Sequence, residues 1–436
     1  MYSKLPLVIA LCLLPICNAF SQQEKGIYGV ENWLNIWTEF NSGDQEYNIP
    51  TQILTGNITK DTKLYKKETY LLLGNVFVTD STSLTIEPGT VILGDYKSQG
   101  SLIISNGSKI IAEGTQTDPI IFSSNRSVKK RGDWGGVFIL GNAPINKIGS
   151  EWQLEYGLKP SSPQIISYGG DDTESNSGIL RYVRIEYAGK RTKDFGYFNG
   201  LTLAGVGSET IIDNVMVTYC EGSSFYVLGG TTNLSQLISF RSRQHDFIFN
   251  YGAQALIKNS LAIKSPYFTK SGGASSIYLA SYDTKEEVDP DKRETHLAAE
   301  NLTLLTLSDD LQADISVGLV SEALYVKKGA SFSIKKSIIS GFNPAVILDN
   351  KIFINDENLN NMEFSNMYFN NCKGNIFTEG MSNNEDLENW YGNSIFKNVY
   401  SRGSDTETFI DAKNLDNPDF RLRINKIIAT NLPDEN

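Results

Sequence analysis

One phrase recurs along this chain: an apolar residue, a polar spacer, Asn, and then alternating apolar residues. It reads Ile212-Asp213-Asn214-Val215-Met216-Val217, then Ile257-Lys258-Asn259-Ser260-Leu261-Ala262-Ile263, then Ala299-Glu300-Asn301-Leu302-Thr303-Leu304. It returns as Phe364-Ser365-Asn366-Met367-Tyr368-Phe369 and as Phe396-Lys397-Asn398-Val399-Tyr400. Variants at Leu234-Ser235-Gln236-Leu237-Ile238 and Ile334-Lys335-Lys336-Ser337-Ile338-Ile339 bring the first spacings to 22 and 23 residues (214 to 236, 236 to 259), and insertions lengthen the later ones. A unit of this length, with strand and turn residues but no helical period, buries its apolar face only by stacking on its neighbours. The spacing therefore predicts an all-β solenoid, a parallel β-helix. Stacked at the strand spacing, the repeated amides are expected to bond to the coils above and below.

A length of 436 residues suggests several globular domains, but a repeat array escapes that count. Charged residues make up 20% of the chain, and 37 glycines stand against 13 prolines, so turn residues and β-formers supply a long core rather than a disordered chain. The formal net charge of −11 argues against the basic, phosphate-neutralising face that nucleic-acid binding needs.

The chain opens as a targeting segment. Lys4 precedes an apolar run from Leu5 to Cys17 that is too short to span a membrane, and Ala19-Phe20-Ser21 places small residues before a cleavage between Ser21 and Gln22. A lipoprotein box ending at Cys17 is the competing reading, but Pro15 and Ile16 stand where small residues are wanted. Residues 1–21 are thus read as an export signal, which predicts an extracytoplasmic protein that is periplasmic, secreted or held at the outer membrane. No other stretch has the length and apolarity of a transmembrane span. Cys220 and Cys372 fall too many coils apart for a disulfide, and with only His245 and His296 in the chain a zinc site is not expected.

Residues 22–67 stand outside the repeat. Val30, Trp33, Leu34, Trp37 and Phe40 lie at helical spacing, which predicts a short amphipathic helix capping the open N-terminal end of the solenoid. The β-helix is expected over 68–415, with insertions near 142–168 and 283–294 leaving its corners. Residues 416–436, with one β-like run from Phe420 to Ile424, are expected to close the C-terminal end.

Several linked motifs resemble a known family. Ile86-Glu87-Pro88-Gly89-Thr90, Ala112-Glu113-Gly114-Thr115, Gly132-Asp133-Trp134-Gly135-Gly136, Arg181-Tyr182-Val183-Arg184-Ile185-Glu186-Tyr187-Ala188-Gly189 and Asn199-Gly200-Leu201-Thr202-Leu203 are similar to those of exported right-handed parallel β-helix proteins of Bacteroidota. The likeness runs from about residue 70 to about 265. It implies a fold and an extracytoplasmic address, because members mostly lack an established activity. The family's Asp-rich run after its Phe-Arg pair is represented here by Arg241-Ser242-Arg243-Gln244-His245-Asp246-Phe247, in which only Asp246 and Phe247 keep the pattern.

Three constellations carry chemistry. Asp171, Asp172 and Glu174, in a loop opened by Gly169-Gly170, offer carboxylates to a hard cation such as calcium, although the spacing is not that of an EF-hand and a self-bonded turn has the same composition. Arg184 and Glu186 share one face of a strand, with Arg241, Arg243 and His245 expected to alternate on another. A polysaccharide lyase uses a basic residue to remove a proton beside a cation-held carboxylate, but salt-bridged surface ladders have the same sequence, and the ladder is the reading taken here. Aromatic clusters such as Phe195-Gly196-Tyr197-Phe198 and Phe225-Tyr226 suit a solenoid core, or a face that stacks on sugars or meets a protein.

These features point to a binding or structural protein at the outer membrane, with no catalytic residue assigned. Its expected partner is an outer-membrane protein, such as a barrel it serves as accessory subunit, or a surface glycan, and the two insertions and the elongated side are its expected recognition surfaces. The alternative is a lyase-like carbohydrate-active enzyme on the same scaffold.

Overall fold

The structure is a computed structural model that describes residues 25–269, 274–381, 384–423 and 425–426. The expected export signal, with its cleavage point between Ser21 and Gln22, lies outside the described residues, as does most of the segment after Ile424.

Short strands wind into a right-handed parallel β-helix with three faces. Face I carries strands such as Val91–Gly94, Ile120–Ser124, Ile238–Phe240, Leu261–Lys264, Thr303–Thr306 and Tyr368–Asn370. Face II carries Ser101–Ile104, Gly136–Leu140, Leu201–Ala204, Phe225–Leu228, Phe247–Asn250, Ile277–Leu279, Leu324–Val326, Val346–Leu348 and Ile376–Thr378. Face III carries Ser83–Ile86, Lys109–Glu113, Thr231–Ser235, Gln254–Lys258, Thr295–Glu300, Ala330–Lys335 and Met362–Ser365. Because side chains alternate across a strand, every second residue points inward, and residues in register stack from coil to coil. On face II the inward column Phe225, Phe247, Ile277, Leu324, Val346 and Ile376 runs through the buried core, with the Phe225 and Phe247 rings stacked 5.2 Å apart. The parallel strands begin at Gln52, inside the segment expected to precede the solenoid, since Gln52–Ile58 pairs with Thr69–Val78.

The recurring Asn has a different task from the one its repetition suggests. Asn214, Gln236, Asn259, Asn301, Lys336, Asn366 and Lys397 all have φ between 45° and 60°, and each turns the chain from face III to face I. A left-handed corner is costly for most L-residues and cheapest, after Gly, for Asn. The expected amide ladder is replaced by separate contacts. Asn259 exchanges two hydrogen bonds with the backbone of Tyr28, and Asn301 Nδ2 donates to Gly26 O at 3.0 Å. Asn214, with its amide turned to suit its neighbours, donates to Gln236 Oε1 at 3.2 Å. Coil-to-coil bonding passes instead to the residue after the corner: Ser260, Ser337 and Asn398 accept the backbone N–H of Leu237, Leu302 and Met367.

The outward sides of the three faces differ. Face III is polar, with Arg181 between Glu113 and Asp213, and Lys336 paired with Glu300 at 2.8 Å. Such half-exposed pairs contribute about 0–1 kcal/mol each, and this face needs no cover. Face I is apolar outward as well as inward, and a strap covers it. In place of the expected capping helix, residues 33–37 form turns, and Val30 is fully exposed. The strap lies along the side of the solenoid, running backwards from the last coils to the coil of Glu186. Lys25 Nζ donates to the carbonyls of Met367 and Lys397, Ile27 N–H to Thr303 Oγ1, and Tyr47 OH to Glu186 Oε2. Gly26, at φ +75°, is needed for the close approach, because a Cβ there would come within 2.3 Å of Ile338 Cδ1. Ile27, Leu34, Trp37 and Phe40 bury against Met216, Ile238, Phe240, Leu261 and Ile338. Each apolar side chain buried in this way stabilises by about 1.5–3 kcal/mol.

The C-terminal segment also lies on this side. Asp419–Leu422 pairs antiparallel with Phe409–Asp411, and Arg421 Nη1 donates to Gly29 O at 2.8 Å. The end of the core is filled by the helix Glu385–Tyr391, which occupies the place of a face III strand in the last coil and buries Leu387 and Tyr391 in the core. No helix of the described residues is long and apolar enough to cross a membrane. Cys220 and Cys372 are both free thiols.

Candidate functional site

The residues singled out by sequence do not converge. Asp171, Asp172 and Glu174 are exposed, and Asp172 Oδ1 accepts the Glu174 N–H at 3.0 Å, so the loop folds on itself. Among the described residues no three His, Cys, Asp or Glu side chains are grouped closely enough to hold a metal ion.

Arg184 and Glu186 share the outward side of face I as expected, but they form no surface ladder. The strap buries them. Glu186 accepts from Ser123 Oγ at 2.8 Å and Tyr47 OH at 2.9 Å and pairs with Arg184 Nε at 3.3 Å. Burial pushes the Glu186 carboxyl up from its usual range, with Arg184 and the two hydroxyls opposing the shift. A sealed pair of this kind holds the strap rather than meeting substrate.

Arg241, Arg243 and His245 do not alternate on a strand. The face I strand ends at Phe240, and Arg241, at φ +53°, begins the corner to face II. Arg243 reaches Glu221 at 3.1 Å. Asp246, the surviving residue of the acidic run, is buried: its Oδ1 accepts from Ser239 and Ser242, and Lys264 Nζ lies 3.5 Å from its Oδ2. Burial lowers the Lys264 pKa, with Asp246 opposing. The cluster fastens neighbouring coils at this corner. His245 lies at its outer edge, its ring 4.8 Å from that of Tyr278 and its Nδ1 3.0 Å from Ser275 Oγ.

Tyr278 belongs to a site that the sequence reading missed. The outward column of face II is Phe77, Ile103, Phe138, Thr202, Tyr226, Ile248, Tyr278, Tyr325, Ile347 and Phe377, each in register with the next. The 142–168 insertion lies over the first half. Ile145, Leu154, Leu158, Ile166 and Tyr168 pack on Phe77, Ile103 and Phe138 as a separate hydrophobic cluster. The 283–294 insertion braces it, with Ile148 N–H donating to Glu287 O at 2.8 Å and Lys147 paired to Glu287 at 2.9 Å. The two insertions expected as recognition surfaces are therefore joined in one structure. From Ile248 onward the column joins none of the three hydrophobic clusters of the described residues and stays partly open to solvent. Tyr278 and Tyr325 stack at 5.8 Å, with the Lys327 amine 5.7 Å from the Tyr278 ring and Glu379 beside Tyr325. Burial raises the pKa of both phenols, which stay neutral. The signal was present in the strands Ile277-Tyr278-Leu279, Leu324-Tyr325-Val326 and Val346-Ile347-Leu348. Three apolar residues in a row leave the middle one facing out.

Comparison with known proteins adds the family. Among solved structures, an alginate lyase from Paenibacillus sp. str. FPU-7 is similar at 9% sequence identity and a TM-score of 0.26, over 74% of this chain and 91% of that one. A likeness of that size carries no argument about activity. No curated protein matches the sequence. The pectate-lyase-like β-helix domain matches residues 56–412, nearly the whole run of coils from Gln52–Ile58 to the hairpin at Phe409, and the chain belongs to that family.

Proposed function

We propose that this protein is an exported binding protein of the Bacteroidota type, held at the outer membrane, and that it docks a protein partner on the bare half of face II. One observation carries this reading. The same outward column is covered by the chain's own Leu154, Leu158, Ile166 and Tyr168 in its first coils and left open at Ile248, Tyr278, Tyr325, Ile347 and Phe377. The covered half displays the kind of occupant the column accepts, an irregular polypeptide segment with aliphatic and aromatic side chains. Apolar surface left open in continuity with a packed cluster is a recognised mark of an interaction site. Five rungs at about 4.8 Å give a strip of roughly 20 Å, enough for one partner segment. A subunit of an outer-membrane barrel complex fits that description.

The enzyme reading requires an accessible acid–base pair. Of its candidates by sequence, Arg184 with Glu186 is sealed beneath the strap, while Arg241, Arg243 and His245 lie along a corner rather than on one strand face, with Arg243 held by Glu221. The test is affinity capture from native outer membranes with the protein and with Ile248→Asp/Ile347→Asp. One integral barrel protein in stoichiometric yield, lost in the variant, supports the proposal. Retention on a glycan matrix without a protein partner would replace it with the glycan reading. New unsaturated or reducing ends from acidic or neutral polysaccharides would promote the enzyme.

A further inference from the structure

The last coil holds a cleft of about 870 Å³, between the helix Asp356–Leu359 and the helix Glu385–Tyr391 with its following turn. Trp390 and Phe396 line it with ring centroids 6.1 Å apart. The indole Nε1 of Trp390 is buried and has no hydrogen-bond acceptor in the protein, although a donor removed from water ordinarily finds one. The exposed carboxamides of Asn360 and Asn389 and the carboxylates of Asp356 and Asp386 stand around the aromatic pair. No Lys, Arg or His lines the cleft. Lys335, outside the lining, pairs at 3.1 Å with Glu363, which lines the cleft.

We infer that this cleft binds a neutral saccharide. The Trp390 indole, with the Phe396 ring tilted 42° to it, offers an apolar ring face to the C–H side of a pyranose ring. Carboxamides both donate and accept, and carboxylates accept hydroxyl protons, so the rim matches a ligand rich in hydroxyl groups. Acidic side chains without a lining cation repel a uronate or a sulfated sugar. The ligand class is therefore opposite in charge preference to an acidic polysaccharide. The cleft also stands apart from the protein-docking column on face II, so either assignment can fail without the other.

Cellohexaose, mannohexaose, chitohexaose and hexagalacturonate, each titrated by calorimetry and by tryptophan fluorescence, test it. Binding of at least one neutral hexasaccharide is expected, at least tenfold weaker in Trp390→Phe and in Asn389→Ala, with no binding of hexagalacturonate. Asn389 is exposed, so Asn389→Ala is expected to keep the thermal midpoint and to separate lost contact from lost fold. The inference is overturned if none of the neutral hexasaccharides binds at millimolar concentration. It is equally overturned if hexagalacturonate binds as well as they do, or if both variants bind as the unaltered protein does.

Discussion

Face I and the second half of face II pose the same physical problem and solve it differently. Both present apolar side chains outward. On face I the strap and the C-terminal hairpin bury Met216, Ile238, Phe240, Leu261 and Tyr368, whereas on face II the cover stops at the coil of Tyr226 and leaves Ile248, Tyr278, Tyr325, Ile347 and Phe377 half-buried. An apolar outer face is thus no sign of function by itself in this molecule. What matters is whether the chain supplies its own cover.

The sharpest way to break that comparison is to damage a cover. Trp37 stands edge-on to Tyr182 and is the largest fully buried side chain of the strap. Trp37→Ala is expected to cost about 3–5 kcal/mol in urea unfolding. A loss below about 1 kcal/mol would mean that the strap is an ornament on face I.

A smaller effect separates the two halves of face II. Leu158, buried in the covered half, is expected to lose about 2–4 kcal/mol when replaced by Ala. Ile347→Ala, in the bare half, is expected to cost under about 1 kcal/mol. Equal losses at the two positions would show that the bare half is packed after all.

The strap's anchor has a pH signature. Lys25 is buried against two carbonyls, and burial lowers its pKa from 10.5 to about 8. Between about pH 8 and 10.5 the unfolded chain holds this proton and the folded chain does not, so stability rises with pH across that window. Below about pH 8 both states are protonated and the cost is constant. Lys25→Met should therefore flatten the rise relative to the unaltered protein, read as thermal midpoints from pH 7 to 10.5. An unchanged slope would place the Lys25 amine in water.

The smallest expected effect concerns the loop whose carboxylates could serve a hard cation or a self-bonded turn. Replacing Asp171, Asp172 and Glu174 together by Ala is expected to shift stability in calcium by less than about 0.5 kcal/mol. A large calcium-dependent loss would restore the metal reading.

The repeat was legible because it is local. An inward residue at every second position and a corner residue that tolerates positive φ are requirements of one coil, and Asn214, Asn259, Asn301 and Asn366 write them into the sequence. The strap was misread because Trp33, Leu34, Trp37 and Phe40 sit at a spacing that helices also use. Asn32 Oδ1 takes the Leu34 N–H, Glu39 Oε1 takes the Asn41 N–H, and Ile36 has φ of 77°, so local side-chain bonds and one left-handed residue divert the backbone from a helix. The left-out site, the column from Ile248 to Phe377, was written in apolar triplets, but a triplet does not say whether its middle residue will be covered.

By itself, then, the amino-acid sequence determined the solenoid, its repeat of 22 to 23 residues and its alternation of short strands and corners, because stacking identical units needs only short-range alternation and turn chemistry. Tertiary structure alone decided where the strap lies, that Arg184 and Glu186 are sealed, that the two insertions form one cover, and which outward residues stay open. Each of these depends on contacts between segments far apart in the chain, such as Lys25 with Lys397, 372 residues apart, and Tyr47 with Glu186, 139 residues apart. A chain read in order carries no record of which distant surface will come to rest on which.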